Sequence, residues 1–62
     1  MANTEFPEGT RVVADVDGDE WVGTVSRRYN EGGLEMATVE TDEEFWTGEF
    51  ELDCDIDALR FA

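Results

Sequence analysis

The side chains in this chain that could do chemistry are mostly carboxylates, and their spacing is the first thing to test. Asp15-x-Asp17-x-Asp19 has the opening of a calcium loop. Such a loop needs Gly at its sixth position to turn the chain and Glu at its twelfth to close the coordination shell. Here those positions hold Glu20 and Ser26. A second cluster, Asp53-Cys54-Asp55-x-Asp57, offers one thiol, with no His and no second Cys in the chain. That is a poor donor set for zinc. Seventeen carboxylates among 62 residues make such clusters expected by chance. We assign no metal site and no cofactor.

Catalysis has equally little to work with. Cys54 has no evident general base, and paired carboxylates serve as acid and base only in a cleft that drives their pKa values apart. A domain of 62 residues has little room for one. The sequence is read as non-enzymatic. Cys54 continues an inward-facing parity with Phe50 and Leu52, so it reads as a small buried hydrophobe.

The remaining candidates are aromatic and basic. Trp46 and Phe50 share the buried parity of one strand, and Trp21 shares that of Gly23 and Val25. Phe45 has the opposite parity beside the acidic turn Asp42-Glu43-Glu44, and Tyr29 lies at a strand end next to Arg27-Arg28. An exposed aromatic rimmed by polar groups marks a contact site. The candidate binding residues are therefore Trp21, Tyr29, Phe45, Arg27 and Arg28.

The elements that must hold them are short. Residues 1–8 form a flexible lead-in, with Phe6 as its one anchor. Thr10 to Val16 alternates as a half-buried strand, with Val12, Ala14 and Val16 inward. Asp17-Gly18 is a hairpin turn. A second strand follows from Glu20 to Tyr29, in which Gly23 signals curvature or close backbone approach. Asn30 to Gly33 turns the chain into a third strand, Leu34 to Thr41. A fourth is expected from Phe45 to Leu52, with Trp46, Gly48, Phe50 and Leu52 on one face. Asp55 is placed to cap a single helical turn with Ile56 and Leu59 inward, and Arg60-Phe61 forms a short fifth strand. At this length, a small bent barrel is the economical way to cover its own edges. The expectation is one all-β domain over residues 1–62, five-stranded, with one short helical turn before the last strand.

Charge bounds the setting and the partners. The formal net charge is −13, from seventeen Asp and Glu against four Arg, with no Lys. In salt the Debye length falls from about 10 Å at 0.1 M to about 3 Å at 1 M, which removes most of the self-repulsion. The composition resembles that of proteins from salt-in halophiles, haloarchaea in particular. Phosphate backbones are bound through Lys and Arg, so direct nucleic-acid binding is disfavoured, as is an anionic membrane surface. No apolar run approaches the ~18 residues of a membrane span, and no signal-peptide pattern is present. A lone Cys fits a reducing compartment, and a cytoplasmic location is expected.

Gly9 to Val25, GTRVVADVDGDEWVGTV, resembles the opening hairpin of SH3-like barrels of the Tudor kind. Asp55 to Phe61, DIDALRF, resembles the helical turn and Leu-Arg that precede the last strand of that fold. The resemblance implies an aromatic cage for methylated Lys or Arg, a cation–π device. Trp21 matches one cage position. The others fall near Val16 and near Glu40 to Glu43, none of them aromatic, so the cage is incomplete and leaves carboxylates around Trp21.

The expected function is a protein-interaction or regulatory module that docks a protein or peptide against Phe45, Tyr29 and Trp21. An open sheet edge would also take a partner strand. The chain would be a monomer or weak homodimer. The alternative is a nucleic-acid-associated barrel that binds through Arg27, Arg28 and exposed aromatics. A self-associating structural protein is a third reading.

Overall fold

In the computed structural model, which describes residues 5–44 and 48–62, the first hairpin forms as its turn chemistry requires. Asp17 and Gly18 take φ of 53° and 84°, the left-handed backbone that matches a two-residue turn to the twist of its strands. They join β1 (Arg11–Val16) to β2 (Asp19–Glu31) in antiparallel register, Val12 opposite Gly23 and Ala14 opposite Trp21. Gly32 and Gly33 do the same between β2 and β3 (Leu34–Thr41), at φ of 59° and 89°. β2 thus runs to Glu31, two residues beyond its expected end, because the glycine pair alone makes the turn.

The fourth strand is shifted from its expected place. β4 covers Glu51–Asp55 and not Phe45 to Leu52. Gly48 has φ of 85°, outside the strand region, so regular pairing with β3 begins only after it. The candidate Phe45 lies outside the described residues, as do Trp46 and Thr47. Phe50 is a second correction: it shares the parity of buried Leu52 but is 52% exposed. It stands just before β4, opposite the end of β3, beyond the reach of the core.

A three-residue 3-10 turn, Ile56–Ala58, follows β4. The Asp55 carboxylate accepts from the Asp57 N–H at 2.9 Å, as the sequence pattern predicts. Ile56 and Leu59 are buried, and β5 (Leu59–Phe61) then pairs with β1. The strand order is β4-β3-β2-β1-β5. This small antiparallel β sheet is compatible with an SH3-like barrel, but it is not closed, since β4 and β5 do not pair. A three-residue β5, spent entirely on β1, has no length left to reach β4.

The core sits on the concave face. Val12, Val25 and Val39 are its largest fully enclosed side chains, joined by Ala14, Ala37, Leu52, Cys54, Ile56 and Leu59. Phe6 enters from the lead-in and is 6% exposed, with its ring 4.7 Å from that of Phe61. Gly23 lets the sheet curl: a Cβ there would lie 2.3 Å from the Glu40 carbonyl oxygen.

Candidate functional site

Two surfaces gather the candidate residues, and a single irregularity in β2 separates them. The β2–β3 register slips between Val25 and Arg27. A bulge adds one residue to one strand and so reverses which face the following side chains take. Before it, Trp21, Gly23 and Val25 face the core. After it, Arg28 stands opposite buried Ala37, while Arg27 and Tyr29 stand opposite Thr38 and Met36 on the outer face. Trp21 and Tyr29 are therefore not brought together. They lie on opposite faces, separated by roughly 25 Å of extended chain at about 3.3 Å per residue.

Arg27 and Arg28 diverge accordingly. The Arg28 guanidinium donates to the Glu5 carbonyl, to the Phe6 carbonyl at 3.2 Å and to Met36 O at 3.2 Å, and pairs with Glu35 at 3.3 Å. It clamps the lead-in over the core and so seats Phe6. Arg27 instead lies over the Tyr29 ring, 4.7 Å from its centroid. That stack borders a groove of about 370 Å³ lined by Ser26, Arg27, Thr38, Glu51 and Asp53. Burial, and then the nearby Asp53 and Glu31 carboxylates, push the Tyr29 hydroxyl above its ordinary pKa, while Arg27 opposes them.

The second surface is the cleft at Trp21, about 300 Å³, lined by Glu20, Trp21, Val22, Asp42 and Glu43. Trp21 is half-buried and packs on the core, opposite Ala14. Its acidic wall is fixed by the chain that leaves β3. Thr41 is 4% exposed, and its hydroxyl donates to the Glu43 carbonyl at 2.6 Å. The Asp42 N–H donates to Val22 O at 2.9 Å. The Asp42 carboxylate then accepts two bonds from Arg11, at 2.9 and 2.5 Å, which hold its pKa below the usual carboxylate value. Glu20 is paired with Arg60 at 2.5 Å.

The sequence names Trp21 as a binding candidate and, through the resemblance, sets Glu40 to Glu43 beside it. Glu20 and Val22 are the lining residues that the structure adds. Cys54 is buried, and burial with flanking Asp53 and Asp55 pushes its thiol up to about 11, which keeps it protonated near neutral pH. Among the described residues, no group of three or more His, Cys, Asp or Glu is arranged to hold a metal ion. No described helix is long and apolar enough to cross a membrane. Compared with known proteins, the chain matches no family model, no curated protein and no solved structure.

Proposed function

We propose that this protein is a non-enzymatic protein-interaction module that docks a cationic side chain of a partner in the Trp21 cleft. The observation that carries the reading is the cleft itself: an aromatic face flanked by Glu20, Asp42 and Glu43. A guanidinium or ammonium placed there gains cation–π attraction and the field of the carboxylates together. Arg11 and Arg60 already pair with Asp42 and Glu20. A partner cation would compete for carboxylates held in place before it arrives, which limits the ordering cost of binding.

The net charge of −13 supports work in concentrated salt, where long-range attraction is screened and contact must come from the cleft's own geometry. The nucleic-acid reading gains less support. It rests on Arg27 and Arg28 acting together, and Arg28 is turned to Glu5, Phe6, Met36 and Glu35.

Isothermal titration with an arginine-rich peptide in molar potassium chloride tests the proposal. Glu43→Lys on the rim is expected to lower affinity by roughly tenfold or more, because it sets a like charge where the cation must sit. Unchanged affinity in Glu43→Lys, with a normal thermal transition, would refute it.

A further inference from the structure

The outer edge of β4 is the other surface that the fold leaves ready for a partner. Thr41 N–H donates to Phe50 O at 2.7 Å, and the register continues with Val39 opposite Leu52 and Ala37 opposite Cys54. Hydrogen-bonded positions alternate along an antiparallel pair. The N–H and C=O of Glu51 and Asp53 therefore point away from β3. Among the described residues no strand pairs with that side. β4 has no proline, no lysine and no register shift against β3, three of the devices that blunt an edge against pairing.

The side chains along this edge sort by face. Leu52 and Cys54 are buried, while Glu51 and Asp53 are exposed and line the groove with Ser26, Arg27 and Thr38. Phe50 presents a half-exposed ring just before the strand. We propose that this edge receives an extended segment of a partner protein as an added strand, with cationic side chains on the outer face and apolar ones on the inner face. The segment's backbone bonds to Glu51 and Asp53. Its Arg or Lys side chains meet their carboxylates as cross-strand pairs, and an apolar side chain covers Phe50.

Charge selects this occupant over a second copy of the chain. Two copies would each bring a net charge of −13 and would set acidic side chains opposite one another, which is destabilising. Three of the four arginines, Arg11, Arg28 and Arg60, are already in ion pairs. The edge shares no residue with the Trp21 cleft, so the two proposals stand or fall separately.

The test is amide exchange and two-dimensional NMR with a short synthetic peptide in which arginine alternates with valine, in potassium chloride at which the chain is folded. Binding is expected to protect the Glu51 and Asp53 amides. That protection should vanish when alternate peptide nitrogens are methylated, which removes the donors but leaves the charge. Glu51→Pro removes the edge N–H and the carboxylate together at the first strand position, where proline is tolerated. It should weaken binding by more than the roughly tenfold of one lost hydrogen bond, whereas Glu51→Gln, which keeps the N–H, should lose only the part due to charge. Binding indifferent to N-methylation would overturn the proposal. So would shifts confined to Trp21 and its cleft, no binding at all, or a protected edge in a dimer without peptide.

Discussion

Replacing Gly23 by alanine is the sharpest probe of how the sheet is curved. The added Cβ would lie 2.3 Å from Glu40 O, 2.9 Å from the Glu40 carbonyl carbon and 2.8 Å from Val39 Cγ1. Two of these atoms are backbone of β3, so no side-chain rotation relieves the contact. β3 must move by about 1 Å to restore an ordinary separation, against a core that is packed to near-crystalline density. Overpacking of this kind costs about 1–3 kcal/mol. Removing a strand glycine returns about 0.5–1 kcal/mol of chain entropy, which leaves a net loss of about 1–2 kcal/mol. A 62-residue domain holds roughly 3–9 kcal/mol in all, so the variant forfeits a large part of it. At about 8 °C per kcal/mol for a domain of this size, Tm falls by roughly 8–15 °C. Thermal unfolding followed by near-ultraviolet circular dichroism in molar salt gives the value. A Gly23→Ala protein as stable as the parent would refute the close approach of β2 to β3.

Other consequences follow from the same contacts. Arg28→Ala should release the lead-in and expose Phe6, costing about 1–3 kcal/mol by loss of charge-assisted bonds, whereas Arg27→Ala should stay within about 0.5 kcal/mol; paired denaturant titrations compare them. The Cys54 thiol, pushed from about 9 up to about 11, keeps its proton when folded at a pH where the unfolded thiol has lost it. Its contribution is complete below about pH 9 and is lost as pH rises to about 11, roughly 2–3 kcal/mol in total at most. A Cys54→Ala protein should show a flatter stability profile across that window, though not a level one, since the Tyr29 pKa shifts in the same direction. In the folded parent, alkylation of Cys54 should be slow and should speed up as salt is withdrawn, because dilution restores self-repulsion.

Particular residues show what was legible beforehand. The Asp17-Gly18 turn, the inward set Val12, Ala14 and Val25, the limits of β3 and the Asp55 cap all follow from local rules: positive φ, period-two alternation and a carboxylate before a turn. A glycine inside a strand pattern signals curvature or close backbone approach, and at Gly23 the backbone of Glu40 does come close. The bulge at Ser26 was not legible. It is a property of how β2 pairs with β3, and it alone decides that Arg28 turns inward to the lead-in while Arg27 stacks on Tyr29 outside. The start of β4 was missed because alternation from Phe45 to Leu52 looks like a strand, and only the φ of Gly48 ends it. Whether a fifth strand closes a barrel depends on its length and on the angle set by the 3-10 turn, neither of which alternation encodes. At the cleft, Trp21 was visible in the sequence, but its acidic wall depends on the Thr41 hydroxyl folding the chain back through Asp42 and Glu43.

The measurement that bears most directly on the account is chemical-shift mapping in molar potassium chloride with two ligands in turn, an arginine-rich peptide and a short single-stranded oligonucleotide. The account predicts that the peptide moves the signals of Glu20, Trp21, Val22, Asp42 and Glu43, including the Trp21 indole N–H, and that the oligonucleotide leaves them in place. Shifts from the oligonucleotide centred on Arg27 and Tyr29, with none from the peptide at Trp21, would contradict it and favour the nucleic-acid reading.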